Sequence, residues 1–461
     1  MVSAQLVRMR ASSLLLATSV AASLVALTPR AEACGGCFSP PGENVSVVTD
    51  HRMVLSISKR QSTLYDQIEY TGSPSDFAWV LPISGTVDIG LSSNTLFSAL
   101  DSLTKVRVNQ PPTNCPGLPD SCRNNSFNSS DSPPTAGFAD AGTSVTVLAS
   151  EVVGPYQTVQ VSATDPGGLD KWLADNGYNV PPDVEPVIAA YVKEKFNFLA
   201  LKLKPGANVQ SMRPVRVTSQ GGTATLPLRM VAAGTGATVG ITLWVMAEGR
   251  YETQNFPFFV LKDQDLSWDW TAGTSNYKDL RAQKTAQDPG RTWEIESTVT
   301  TAEATLEQQI RFGSRFNPYP IADAGPGDYL PTATDTAEEA LKLDLVALYA
   351  GLDPTQGHVT RLRSDVSRAG LATDLALIAS VDQTDIGTTR TPTREIGQPQ
   401  CQVYSGCNQV GTAPRDEAVA RSNDGGGCAT TDRSTVGSYG VLAAFLALSV
   451  LRSRRRGCAP R

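Results

Sequence analysis

The sequence predicts an α+β protein, mainly antiparallel sheet with clustered helices, on three observations. Short apolar segments alternate with polar residues at period two through much of the chain, as half-buried strands do. Stripes at helical spacing come in clusters rather than one between each pair of strands, which separates this pattern from parallel α/β folds. No internal repeat of solenoid or propeller length is present. The 461 residues are 41% apolar and 18% charged, with a formal net charge of -6, an ordinary globular composition with room for one large domain or two. No Lys/Arg run occurs outside the extreme C-terminus, so the clustered cations that phosphate neutralisation needs are missing and nucleic acid is excluded as a partner.

Residues 1–33 read as a signal peptide. Arg8 and Arg10 form a basic n-region, Ala11 to Leu27 an apolar h-region, and Ala31-Glu32-Ala33 a small-x-small cleavage site. Cleavage after Ala33 makes Cys34 the first mature residue. Acylation of Cys34 is the competing reading, and Glu32 weighs against it.

The exported body spans residues 34–380. Val45 to Val48 and then Met53, Leu55 and Ile57 alternate as a half-buried strand, and Gln67 to Tyr70 forms a further strand closed by Gly72-Ser73-Pro74. Phe77 to Leu81 is apolar on both faces, as a central strand is. Asn94 to Val106 places Leu96, Phe97, Leu100 and Leu103 on one helical face, with Ser92 or Ser93 as N-cap. Residues 109–142 collapse into Pro, Ser, Asn and Gly and read as a disordered surface excursion.

Order resumes with strands at Val145 to Leu148 and Thr158 to Val161, a turn at Asp165 to Gly168, and a short helix from Leu169 to Asp175. Val184, Val187, Ile188, Tyr191 and Val192 make a second amphipathic stripe, leading into an alternating strand from Phe196 to Lys204. Thr223 to Val231 and Thr238 to Met246 alternate as strands around a hairpin loop at Gly234 to Gly240. Another strand begins at Phe256 to Val260, and Leu266 to Trp270 is a short aromatic stretch. Tyr277 to Gln287 reads as helical, as does Ala337 to Ala350, where Thr336 and Glu339 form a capping box. Val359 to Leu362 and Leu371 to Ile378 close the body as strand or helix.

These residues resemble a known family. The Cys34-Gly35-Gly36 start with Phe38, the Phe77-Ala78-Trp79-Val80-Leu81-Pro82 strand, and the run from Trp172 through Gly177-Tyr178 and Tyr191-Val192 to Phe196-Asn197-Phe198 look like DUF2330, a bacterial family of unknown function. Pro214 to Val217, Asp269-Trp270 with Tyr277, Gly290-Arg291, Thr360 to Arg363 and Asp374-Leu375 continue the collinear likeness to about Ala379. The resemblance brings no established activity, so it implies no catalytic roles.

Residues 381–435, polar and rich in Gly, Thr and Pro, read as a flexible stalk. Val436 to Leu451 then runs without a charge into Arg452, Arg454, Arg455 and Arg456. This segment spans ~24 Å against the ~30 Å hydrocarbon core of a bilayer, and the arginines behind it are the positive-inside signature. A transmembrane helix at 436–451 with a basic cytoplasmic tail at 452–461 is therefore expected, and the membrane is a partner through that helix. Asp424-Gly425-Gly426-Gly427-Cys428 followed by the apolar segment and the arginine block resembles the C-terminal sorting tail of myxobacterial surface proteins. The likeness implies processing or lipidation at Cys428 and transfer to the outer surface; a retained anchor stays open.

Of eight cysteines, Cys428 and Cys458 lie in the tail. The other six fall into the local pairs Cys34/Cys37, Cys115/Cys122 and Cys401/Cys407, and all six are disulfide candidates in an oxidising compartment. Local pairing is the working hypothesis among fifteen possible connectivities.

No motif calls for a cofactor, and no catalytic or metal residue is assigned. Only His51 and His358 are present; there is no Gly-x-Ser-x-Gly elbow and no HExxH. His51, beside Asp50 between two strands, reads as a surface residue of a turn. Asp263-Gln264-Asp265 with Asp269 reads as a solvated acidic loop, since the EF-hand pattern is missing. Trp79, Trp244, Trp268 and Trp270 read as aromatic core, with a ligand groove as their other use. Cys34-x-x-Cys37 reads as a structural element, because redox folds set that motif at a helix N-terminus after a strand. The expectation is an exported, membrane-anchored cell-envelope or surface protein, a non-catalytic binding or structural module whose partner is an envelope protein or a glycan. The alternative is an envelope thiol-redox or metal-dependent enzyme centred on Cys34/Cys37.

Overall fold

A computed structural model describes residues 37–38, 47–71, 78–118, 151–163, 165–176, 184–205, 212–232, 237–288, 290–316 and 337–423. Their strands are β1 (Cys37–Phe38), β2 (Val47–Ile57), β3 (Gln61–Thr71), β4 (Ala78–Ile83), β5 (Val87–Leu91), β6 (Arg107–Val108), β7 (Glu151–Val153), β8 (Tyr156–Ser162), β9 (Asn197–Leu203), β10 (Val215–Gln220), β11 (Thr225–Leu226) and β12 (Thr238–Ala247). The later ones are β13 (Tyr251–Thr253), β14 (Phe258–Phe259), β15 (Ser267–Asp269), β16 (Thr274–Ser275), β17 (Trp293–Thr301), β18 (Gly357–Ser367), β19 (Leu375–Ala379), β20 (Thr389–Arg390), β21 (Arg394–Ile396), β22 (Gln400–Ser405) and β23 (Asn408–Pro414). The helices are α1 (Asn94–Thr104), α2 (Pro166–Asp175), α3 (Glu185–Lys193), α4 (Leu228–Val231), α5 (Tyr277–Thr285), α6 (Glu303–Phe316), α7 (Ala337–Leu348) and α8 (Arg415–Asn423).

The α+β, mostly antiparallel architecture is present. Contacts divide the described residues into two units, the larger within 37–113 and 151–399, the smaller within 114–118 and 400–423. In the larger unit an eight-stranded sheet runs β14-β17-β18-β12-β2-β3-β10-β5, and a five-stranded one β1-β4-β9-β8-β7. Within the large sheet only β12 with β2 and β14 with β17 pair in parallel.

Period-two alternation decides the layers. Met53, Leu55 and Ile57 of β2 point to one face, where they pack with Val239, Ile241, Leu243 and Val245 of β12. Val54 points to the other, joining Trp244 and Met246 beneath α1, α6 and α7 through Leu96, Leu100, Leu306, Leu341 and Leu345. β2 is thus buried on both faces. Ser93 caps α1, its Oγ accepting from the Leu96 amide at 3.3 Å, and Asp165 caps α2, its Oδ2 accepting from the Gly168 amide at 2.8 Å.

The five-stranded sheet meets the β3-β10-β5 end of the larger one. Trp79, Leu81, Leu199 and Leu201 pack there against Val87, Val215 and Val217. Its opposite face is covered by α2 and α3, where Leu169, Leu173, Ile188 and Tyr191 meet Val80, Phe198 and Ala200.

Several expectations are corrected. Thr223 to Val231 is not one strand: Pro227, which lacks an N–H, separates the two-residue β11 from the single turn α4. No hairpin joins that segment to β12, which pairs with β2 and β18 instead; alternation identifies a strand but not its partner. His51 is not a surface turn residue. β2 continues through it past an irregularity between Val48 and Asp50, and His51 is 0% exposed.

The segment 381–423 is not a stalk. β20 pairs with β6 and β21 with β15, while β22 and β23 form a hairpin in the smaller unit. Its polar composition hides buried hydrogen bonding: Arg390 is 5% exposed, donating from Nε to the Leu261 carbonyl at 2.7 Å and from Nη2 to the Glu296 carbonyl at 2.8 Å. The expected strand at 145–148, most of the excursion at 109–142, and the signal, anchor and tail segments lie outside the described residues. Among the described residues no helix is long and apolar enough to cross a membrane.

Candidate functional site

The two sheets do not close on each other completely. Between them lies a cleft of about 240 Å³. Leu55, Leu64 and Val217 of the large sheet face Leu81, Pro82 and Ile83 of β4, and Leu226 and Pro227 close one end. Ser62, Ser84, Ser219, Thr223 and Thr225 add hydroxyls to the lining, and Phe196 and Asp374 complete it. A second void of about 20 Å³ shares Leu64, Leu81, Leu226 and Pro227 with the cleft and extends to Trp79 and Asp66.

Asp374 anchors one end of the cleft. Its Oδ1 accepts from the Tyr191 hydroxyl at 2.6 Å and the Arg229 amide at 3.0 Å. Its Oδ2 accepts from Arg229 Nε at 3.0 Å and Nη2 at 2.7 Å. Arg229 also grips Glu194, with Nη1 to Oε1 at 2.8 Å and Nη2 to Oε2 at 2.6 Å, and its guanidinium lies 4.1 Å from the Tyr191 ring centroid. Burial, and then Asp374, raises the Tyr191 phenol well above its ordinary range. The hydrogen bonds from Arg229 hold the Glu194 carboxyl below its usual range. This cluster joins α3, α4 and the approach to β19 and fixes the wall of the cleft.

The helical face of the large sheet carries a different chemistry. Arg361 is 3% exposed; it donates from Nε to Glu296 Oε2 and from Nη1 to Asp101 Oδ1 at 2.5 Å. Its guanidinium lies 5.0 Å from the Trp244 ring centroid, and that of Arg52 lies 5.3 Å away, a cation–π arrangement. Burial disfavours charge on Asp101, but Arg361 outweighs it and holds the carboxyl below its usual range. Beside this pair the Tyr277 hydroxyl donates to Glu294 Oε1 at 2.9 Å, and Arg281 Nη1 reaches Glu296 Oε1 at 3.4 Å. Burial, and then repulsion from Glu296, pushes Glu294 up to about 7. These charges bind α1 and α5 to β17 and β18.

Among the described residues no group of three or more His, Cys, Asp or Glu is placed to hold a metal ion. The acidic run caps backbone instead: Asp265 Oδ2 accepts from the Lys262 amide at 2.9 Å, and Asp269 Oδ1 from the Thr271 and Ala272 amides at 2.8 and 3.0 Å. Trp79 and Trp244 are core residues, whereas Trp268 and Trp270 are half-buried in an edge-to-face pair at 6.2 Å. His51 Nδ1 lies 3.4 Å from Asp66 Oδ1.

One cysteine pair is joined at long range. Cys115 is bonded to Cys401 across 286 residues, rather than to Cys122, and Cys407 is in a disulfide that excludes Cys401. Spacing favoured local rings, but the buried Cys401, in a core with Val403, Ala413 and Ala418, packs against Cys115. Cys37 lies in β1, paired with Trp79. Cys34, Cys122, Cys428 and the cleavage site after Ala33 lie outside the described residues.

Sequence reasoning passed over Glu294 and Glu296 entirely. Trp293 and Ile295 alternate with them, which signals a strand but would set the glutamates in solvent, whereas Glu294 and Glu296 are both buried. The cleft had no local signal, since its lining comes from β2, β3, β4, β10, β11 and the segments at Phe196 and Asp374.

A family model described as an uncharacterised protein conserved in bacteria, DUF2330, matches residues 28–374. No curated protein matches the chain. Among solved structures, a crystal structure of baculovirus P35 is 15% identical, covering 46% of this chain and 67% of its own, with a TM-score of 0.25. A likeness that loose bears on neither fold nor function.

Proposed function

The chain belongs to DUF2330, a family of uncharacterised bacterial proteins, and from that premise we propose that it is an exported, membrane-anchored cell-envelope protein that works by binding rather than by catalysis. Residues 1–33 serve as the leader, 436–451 as the anchor, and the body faces outward. The observation that carries this reading is the Cys115–Cys401 disulfide, because bridges form and persist in oxidising compartments. The leader and the arginine-tipped apolar segment support it independently.

Binding is supported by how the chemistry is distributed. The buried Arg361 and Glu296 and the half-buried Asp101 are engaged with one another in holding helices to the sheet, whereas the cleft between the sheets is apolar, pre-formed and hydroxyl-lined, the usual make-up of a ligand site. Alkaline phosphatase fused ahead of residue 436, a reporter active only where disulfides form, tests the placement. Active fusions are expected. An inactive fusion, with a fluorescent cytosolic reporter at the same position, would refute export. Intact-mass analysis of protein from the native envelope then reads both termini and any lipid on Cys34 or Cys428.

A further inference from the structure

We propose that the cleft takes one saturated hydrocarbon chain ending in an uncharged, hydrogen-bonding head, such as an alcohol, ester or amide. This deepens the reading of the body as a binding module and is independent of where the protein resides. Volume sets the length: an apolar protein cavity of about 150 Å³ binds benzene, so the cleft's 240 Å³ scales to roughly ten carbon atoms.

The lining sets the chemistry of the chain. Leu55, Leu64, Leu81, Ile83, Val217 and Leu226 present aliphatic carbon, and Phe196 is the one aromatic ring among the lining residues. A sugar, which packs on flat aromatic faces, has little to stack against. The inner void sets where the chain stops. At about 20 Å³ it has room for about one water, so an alkyl chain ends at Leu64 and Leu81 and does not reach Asp66.

The polar lining sets the head. The hydroxyls of Ser62, Ser219, Thr223 and Thr225 have no side-chain hydrogen-bond partner among the described residues, and a hydroxyl both donates and accepts. Asp374 is the one ionised side chain in the lining. It repels a carboxylate head, and it has no capacity for an ammonium, because four hydrogen bonds from Tyr191 and Arg229 already fill its acceptor positions. A neutral head against the hydroxyls is what remains.

Photocrosslinking tests this on the full-length chain in amphipol, with decan-1-ol carrying a diazirine at the far end of its chain and adducts located by peptide mass spectrometry. Adducts are expected on the peptides that carry Leu64 and Leu81. Excess decan-1-ol should displace the probe about tenfold more effectively than decanoate or decylammonium. Leu64→Trp fills the cleft, and Thr225→Trp does so from an exposed position that tolerates substitution should the first variant fail to fold. Either should cut adduct yield about tenfold. Adducts scattered over the surface, unchanged yield in Thr225→Trp, or competition by decanoate equal to that of decan-1-ol would overturn the proposal. None of these results touches the phosphatase fusion, so the ligand and the location of the protein stand or fall separately.

Discussion

Arg216 and Asp344 meet at 2.7 Å with side chains only 12% and 1% exposed, pinning helix α7 to strand β10 of the large sheet. The Ser92 hydroxyl donates to the other oxygen of the same carboxylate at 2.5 Å, and the Tyr65 hydroxyl donates to the Asp344 carbonyl at 2.8 Å. Removing the acid alone leaves a poorly hydrated guanidinium. Asp344→Ala should therefore destabilise by about 3–5 kcal/mol, whereas Asp344→Leu combined with Arg216→Met should recover most of that loss. Urea unfolding midpoints of the single and double variants decide it; an additive double variant would show that the pair is not coupled.

Glu294 makes stability depend on pH near neutrality. Its carboxyl is raised from 4.5 to about 7 in the folded chain, so the folded state holds a proton that the unfolded state releases. That contribution is complete below about 4.5 and is lost as pH rises through about 7. The groups facing it are Glu296, Tyr277, Arg281 and Arg390. The loss should be on the order of 3 kcal/mol at most between pH 5 and pH 8. Glu294→Gln keeps the shape without the proton, so its denaturant midpoint should change less over that interval than the wild type's. Parallel profiles for the two proteins would assign the pH dependence elsewhere.

Trp244 lies at the centre of the helical face, 0% exposed, with Nε1 donating to Thr104 Oγ1 at 2.8 Å. Thr104 ends α1, and its hydroxyl donates back to the Leu100 carbonyl at 2.6 Å. Thr104→Val keeps the volume but strands the indole N–H, at an expected cost of about 1–3 kcal/mol. Trp244→Ala should cost about 3–5 kcal/mol through the cavity it opens. Thermal unfolding of both variants checks the order; a Thr104→Val loss equal to that of Trp244→Ala would contradict it.

How far the sequence is legible follows from which interactions are local. Met53, Leu55 and Ile57 reveal the buried face of β2 because neighbours in sequence alternate across a strand, and Ser93 reveals the start of α1 because a cap acts within three residues. His51 is not legible in this way: its partner Asp66 is supplied by β3, so the same two residues read as a turn when seen alone. Partner choice is equally opaque, as in the parallel pairing of β12 with β2 across nearly two hundred intervening residues. Arg390 reads as a stalk residue until the carbonyls of Leu261 and Glu296 are brought to it. The cleft lies at the far end of this scale, assembled from segments none of which signals it.

The Cys115–Cys401 bridge should appear directly in a non-reducing peptide map as one cross-linked pair. Cys401→Ser removes it and should lower stability by at most about 6 kcal/mol, the loop-entropy bound for so long a closure. Limited proteolysis should then cut the 400–423 region faster than in the parent. Indistinguishable digestion patterns would mean that the bridge does not hold that region.

Joining residue 115 to residue 401 also makes a covalent ring of everything between them, most of the family-matched sequence included. A single protease cut anywhere inside the ring opens it without liberating a piece: both new ends remain on one molecule, which migrates intact until a reductant parts it. A protein stationed among extracellular proteases would keep its body attached after being nicked, and shedding would require either two cuts within the ring or a cut beyond it.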